Sequence, residues 1–141
     1  MTVLVNDTGF VADDWTKGFV AEFETEAAND VVSLDLASDA NPTALSNLLG
    51  GVEMIRIDFP NSHDGRGFTI ARQLRLMGFK GRLRAKGQVL ADQYAMARRS
   101  GFDEVEIPDD LAARQPEDQW LARANWQAHD YQSRLRAKAS S

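Results

Sequence analysis

Two Gly-Phe pairs, Gly78-Phe79 and Gly101-Phe102, constrain this chain more than any other feature of its sequence. Each follows a stretch with helical apolar spacing: Phe68, Ile70, Ala71, Leu74 and Met77 before the first, Val89, Leu90, Tyr94 and Ala97 before the second. A helix that ends this way places glycine at the left-handed position after its last turn and packs the next, apolar residue back onto that turn. Each pair also launches a strand-like segment, Arg82-Leu83-Arg84-Ala85 and Val105-Glu106-Ile107. The same plan starts earlier. Val31 to Leu36 reads as a strand, Ser38 to Asn41 as a polar turn, and Pro42, Ala44, Leu45, Leu48 and Leu49 as a helix stopped by Gly50-Gly51. Val52 to Phe59 is the next strand, ended by Pro60, and Pro108 ends the last one. Strands alternating with helices imply parallel pairing with right-handed crossovers. The expected fold is α/β, with about four parallel strands in an open sheet or a partial TIM-barrel-like array.

The two ends of the chain depart from this rhythm. Val3-Leu4-Val5, the turn Asn6-Asp7-Thr8-Gly9, and Phe10-Val11 read as an N-terminal hairpin flap. Trp15, Phe19, Val20 and Phe23 give a helical spacing over Asp14 to Asn29, interrupted by Gly18. After Pro108 a polar stretch leads to Glu117, from which Trp120, Leu121, Ala124, Trp126, Ala128 and Tyr131 predict one long helix to about Ala137. The expectation is a single domain over 1–141: hairpin and helix in 1–30, βα core in 31–108 and helical extension in 109–141. The two tryptophans of the last helix either pack on the domain's own sheet or form a homodimer interface, where aromatic residues are enriched.

The absence of cysteine excludes thiolate catalysis, cysteine-ligated zinc and iron–sulfur clusters held by this chain. The N-terminus has neither a basic nor a sustained apolar leader region, and no apolar run has the length of a membrane span. A cytoplasmic protein without membrane contact is expected. The net charge of −5 is partitioned: residues 1–60 carry 11 acidic and 2 basic side chains, residues 61–102 carry 2 and 9, and residues 103–141 carry 8 and 5. The basic segment lies between acidic flanks in a chain of pI about 5.0, which opposes the phosphate attraction needed for nucleic-acid binding.

Ligands of parallel sheets bind beyond the carboxyl ends of the strands. That rule selects Asp64, Gly65, Arg66 and Gly67 after one strand, and Arg84, Lys86 and Gln93 after the next. Arg66, Arg84 and Lys86 are expected to surround one anionic group. Asp64 is expected to cap the following helix and the glycines to let backbone N–H groups approach the anion. His63 and Asp64 are the acid–base candidates, although adjacent residues seldom face one another. His63 and His129 are 66 residues apart, so no metal site is expected, and no motif implies a cofactor.

Phe59-Pro60, Asp64-Gly65-Arg66-Gly67-Phe68, Ala71-Arg72, Leu74-Arg75, Gly78-Phe79-Lys80-Gly81, Leu83-Arg84-Ala85, Gly87, Val89-Leu90, Asp92-Gln93 and Arg98-Arg99 with Gly101-Phe102-Asp103 form an ordered series. It resembles an uncharacterised bacterial family, domain of unknown function 934. Members are described as oxidoreductases involved in sulfite reduction, through association with assimilatory sulfite reductase. The resemblance implies a link to sulfur assimilation, with sulfite reductase or another protein of that process as partner. The chain departs from the family pattern at Arg82, where an acidic residue is usual, at Gln88, which replaces an Asp, and at Ser100, where a Cys is frequent. A thiol-based role therefore does not carry over. Three readings follow: an accessory protein binding a small anion or an acidic partner surface; an enzyme with Asp64 or His63 as acid–base and Arg66 or Arg84 holding the substrate; and a structural module dimerising through the Trp-rich helix.

Overall fold

The computed structural model of the chain describes residues 2–21 and 32–126. A single seven-stranded sheet runs through them, with spatial order β2-β1-β7-β6-β5-β4-β3. The strands are β1 (Thr2–Asn6), β2 (Gly9–Val11), β3 (Val20–Ala21), β4 (Ser33–Leu36), β5 (Met54–Phe59), β6 (Arg82–Gly87) and β7 (Glu104–Pro108). Strands β3 to β7 are mutually parallel and lie side by side in chain order. The parallel set is thus five strands rather than about four. The expected hairpin forms, with Leu4 opposite Val11, but it is no flap: β1 pairs antiparallel with β7, Val3 opposite Ile107, and extends the sheet.

Both Gly-Phe pairs do what their chemistry dictates. Helix α1 (Arg66–Leu76) ends at Met77 and Gly78, which has φ of 95°, and Phe79 N–H donates to the Leu74 carbonyl. Helix α2 (Tyr94–Ser100) ends at Gly101, φ 116°, with Phe102 N–H donating to the Ala97 carbonyl. These are six-to-one closures of the helix end. Arg75 ties the two corners together, donating to the carbonyls of Phe79, Gly81 and Gly101 and to the Asp103 carboxylate.

Apolar residues alternate along every central strand, so one sheet face collects Val5, Leu34, Leu36, Ile55, Ile57, Phe59, Leu83, Ala85, Val105 and Ile107. The helices bury their apolar stripes in the same core: Phe68, Ile70, Ala71 and Leu74 from α1, Tyr94 and Ala97 from α2. Phe59, Phe68 and Phe102 form an aromatic triangle with ring centroids 4.9 to 6.4 Å apart. Parallel sheets are usually apolar on both faces. Here the register puts Asp35, Arg56, Arg84 and Glu104 in one row across the opposite face, with Asp58, Lys86 and Glu106 in the next.

Several expected helices are replaced. Pro42–Leu45 and Leu49–Gly51 form short 3-10 turns: the stretch between Asn41 and Gly50 is too short to repay helix nucleation, and Asn41 already satisfies the Thr43 N–H with its side chain. The first turn of the expected third helix is likewise 3-10, Ala91–Gln93. Over Asp14 to Phe19 there is no helix. The left-handed Gly18, φ 71°, turns the chain, Trp15 Nε1 donates to the Gly18 carbonyl, and β3 follows; residues 22–29 of that expectation lie outside the described residues.

The polar stretch after Pro108 is helix α3 (Asp109–Arg114), with Asp109 and Asp110 at its positive end. The long terminal helix is corrected to α4 (Glu117–Leu121), after which Arg123 and Ala124 N–H groups close tight turns on Trp120 and Leu121; residues from 127 on lie outside the described residues. The turn lets each tryptophan reach its own partner. Trp120 is buried edge-on against Tyr94, 6.1 Å between centroids, and donates to the Gln115 carbonyl, while the Trp126 ring lies 4.9 Å from the Arg98 guanidinium. No described helix is long and apolar enough to cross a membrane.

The connection from β2 to β3 runs from one edge of the sheet to the other. Six spacings of about 4.8 Å make a flat seven-stranded sheet about 29 Å wide. Nine residue steps from Val11 to Val20 reach at most about 32 Å when fully extended. Ala12 to Phe19 includes the turn at Trp15 to Gly18, so this strap does not span a flat sheet. Its reach requires the sheet to curl towards it, which makes the charged face, where Asp14 and Asp13 meet Arg82 and Arg84, the concave one.

Candidate functional site

At the carboxyl end of β5 the chain folds into a polar turn. Asn61 Oδ1 accepts the His63 N–H, and the Asn61 carbonyl accepts the Asp64 N–H. Asp64 Oδ1 then accepts the backbone N–H and Nε of Arg66, at 3.1 and 3.0 Å, and Oδ2 accepts Arg66 Nη2 at 2.7 Å. The same Nη2 donates to Ser38 Oγ, 2.9 Å away beyond the end of β4. Asp64 is therefore a brace for Arg66 one residue before the helix cap, Gly65, whose own side makes no capping bond. The Arg66 hydrogen bonds hold the Asp64 carboxyl far below the usual carboxylate range and push the Arg66 guanidinium above its ordinary value. Asp64 is 8% exposed at its side chain and Arg66 61%.

The two glycines of this turn have a different use from the one expected. Neither has positive φ. Gly65 has φ of −90°, and Gly67 is a packing residue: the Phe59 ring fills the space where a Cβ would stand. The Asp64–Gly67 run is thus a tight docking of α1 onto β5, with no left-handed nest of N–H groups. His63 is exposed. Gln93 Oε1 accepts the Leu90 N–H and Nε2 donates to the Ser62 carbonyl, so Gln93 joins the turn after β6 to the turn after β5.

Arg84 and Arg66 share no partner. Arg84 sits in the middle of β6 on the concave face, 0% exposed, where Nε donates to Glu104 at 2.6 Å, Nη1 to Glu106 at 2.9 Å and Nη2 to Asp13 at 3.0 Å. Arg82 grips Asp14 and Glu104, and Arg56 grips Asp35 and Glu106. Three guanidiniums and five carboxylates form one lattice, so this surface is not basic. Burial pulls the Arg84 guanidinium down, but its carboxylates outweigh that and raise it well above its usual value; Arg56 and Arg82 follow the same balance. The Phe19 ring lies 3.9 Å from the Arg56 guanidinium carbon. Lys86, half-buried, is two residues nearer the carboxyl end on the same face, opposite Asp58 in register.

Sequence reasoning missed this lattice, although its signal was present. Arg82, Arg84 and Lys86 alternate with Leu83 and Ala85, and Glu104 and Glu106 alternate with Val105. Opposite charges at the same strand period on consecutive parallel strands mark one charged sheet face. Among the described residues there is no cluster of three or more His, Cys, Asp or Glu able to hold a metal ion. A hollow of 460 Å³ opens at the other end of the sheet, lined by Ser46, Leu49, Gly50, Met77 and Gly78, none of them charged.

Fold and site together define a singly wound α/β domain that carries its helices on one sheet face and an arginine–carboxylate lattice on the other. The chain belongs to the family described as bacterial protein of unknown function (DUF934), whose model matches residues 33–141. No curated protein and no solved structure matches it. The matched residues include Arg56, Arg82, Arg84, Glu104 and Glu106; the strap and the N-terminal hairpin lie before them.

Proposed function

We propose that the protein is a non-catalytic accessory protein linked to assimilatory sulfite reduction, which docks an acidic partner surface on the rim formed by Arg66 and Lys86 at the carboxyl ends of β5 and β6. The observation that carries this reading is the Asp64–Arg66–Ser38 brace. It fixes an exposed guanidinium in one orientation, which lowers the ordering cost of recognising a carboxylate. The same brace keeps Asp64 ionised, which counts against Asp64 as a general acid or base near neutral pH. Because Asp64 also balances the Arg66 charge, a lone small anion gains little, and a protein surface offering several contacts gains more. The link to sulfite reduction rests on family resemblance alone.

Capture of purified sulfite reductase by the immobilised protein, compared with its Arg66→Glu variant, tests the reading. Capture reduced at least fivefold by the substitution is expected; equal capture by both proteins, or none by either, overturns it. Thermal-shift titration with sulfite, sulfate, phosphate and nucleotides tests the small-anion alternative, which requires stabilisation that disappears in the same variant.

A further inference from the structure

The concave face presents a recognition pattern that the chain itself occupies. Arg82 and Arg84 are i and i+2 on β6, so their guanidiniums project from the same face about 6.6 Å apart along the strand. Each takes one carboxylate of a consecutive pair: Arg82 Nη2 donates to Asp14 at 2.9 Å and Arg84 Nη2 to Asp13 at 3.0 Å. Without these two aspartates the sheet is already balanced, with Arg56, Arg82 and Arg84 against Asp35, Glu104 and Glu106. Asp13 and Asp14 are extra anions that accept from guanidinium N–H groups beyond those the sheet carboxylates use.

The strap holding them is lightly secured. Asp13 is 44% and Asp14 67% exposed at the side chain, so their ion pairs are screened by water. Ala12 to Phe19 contains no helix or strand, and its other anchors are Lys17 with Glu53, Ser33 with the Gly18 carbonyl, the Trp15 ring on Arg82, and the Phe19 ring on Arg56 and Arg84. Beneath it lies Arg84, which has no exposure at all.

We infer that the Arg82–Arg84 pair is a binding site for an acidic peptide segment of a partner protein, one with adjacent carboxylates, and that Asp13-Asp14 of the strap is its built-in competitor. The partner's pair of carboxylates displaces the strap aspartates and takes over their hydrogen bonds. Tethering gives the strap an effective concentration in the millimolar range, so the closed state dominates until the partner offers contacts beyond the two carboxylates. The site uses none of the residues of the Arg66 rim, so each proposal stands or falls alone.

The test uses a fluorescent peptide copying residues 12–19 as the probe. Fluorescence polarisation should show it binding the full-length Asp13→Asn, Asp14→Asn double variant at least tenfold more tightly than the unaltered protein. Replacing both aspartates of the peptide by asparagine, or adding Arg82→Gln to the double variant, should remove that gain. Equal binding to the two proteins, or binding indifferent to the peptide's carboxylates, overturns the proposal. Should the double variant fail to fold, the unaltered protein answers by tryptic cleavage after Lys17. Poly-glutamate is expected to accelerate that cleavage several-fold over sodium chloride of equal ionic strength, and the absence of acceleration overturns the proposal.

Discussion

Arg56 on β5 reaches over the whole of β6 to Glu106 on β7, with Nη1 3.1 Å from Oε1. Glu106 accepts Arg84 through the same oxygen at 2.9 Å, and its side chain is only 5% exposed. It therefore joins two guanidiniums that have little water to turn to. Glu106→Ala is expected to destabilise the fold by about 3–5 kcal/mol, the cost of breaking a buried pair from one side. Urea unfolding measures it. A loss below 1 kcal/mol would mean that Asp13 and Glu104 alone suffice for Arg84.

Gly65 and Gly67 separate packing from backbone freedom. Gly65 has negative φ, and its nearest neighbour to a new Cβ is Phe68 Cδ2 at 4.0 Å, so Gly65→Ala should change stability by less than about 0.5 kcal/mol. Gly67→Ala drives a methyl into the Phe59 ring and should cost about 1–3 kcal/mol. Equal effects at the two positions would contradict the docking of α1 described above.

Ser100 is buried, and among the described residues its Oγ is the buried side-chain polar atom left without a hydrogen-bond partner. Ser100→Ala removes that orphan and improves helix propensity, so stability should rise by about 1 kcal/mol. A fall on denaturant unfolding would show that the hydroxyl is engaged in solution.

The strap gives stability a specific acid dependence. Burial raises the Asp13 carboxyl, but the hydrogen bonds from Arg84 and the Trp15 N–H, together with the charges of Arg84 and Arg82, outweigh it; the hydrogen bond from Arg82 is the main cause at Asp14, and both groups end below 3.8. A carboxyl depressed by folding contributes stability that is fully present above its unfolded value and is lost as pH falls through its folded one. The contribution should thus persist at neutral pH and fade below 3.8. The Asp13→Asn, Asp14→Asn double variant should show a shallower decline of Tm below that pH than the unaltered protein. Parallel declines would show that the strap pairs add nothing.

What the sequence made legible was whatever its local chemistry decides. Gly78-Phe79 and Gly101-Phe102 close their helices by contacts within one turn, and β5 to β7 are bounded by glycines and prolines a few residues away. Two of the segments read wrongly, the strap and the run after Glu117, owe their fate to distant partners. Trp15 and Phe19 have helical spacing, yet the arginines that claim Asp13 and Asp14 lie about 70 residues further along the chain. The aromatic run after Glu117 looked like one helix, but Trp120 and Trp126 are drawn to Tyr94 and Arg98. At the candidate site, the Asp64–Arg66 turn was found in its place because it is local. Arg84 was assigned to the rim because strand ends are the least certain boundaries in a sequence, and two residues separate an edge position from the middle of a sheet.

The pairing of β1 with β7 sets an order of assembly. Val3 meets Ile107, and Glu117 Oε2 secures the Phe10 N–H across 107 residues. The hairpin of β1 and β2 can close on itself, but it has no place in the sheet until β7 has been made, whereas β4 to β7 each find their partner among the strands next in line. Closing so long a loop is slow and unrewarded until its last contact forms. The N-terminal hairpin is therefore the final piece to be placed, and the strap crosses the concave face only when that piece arrives.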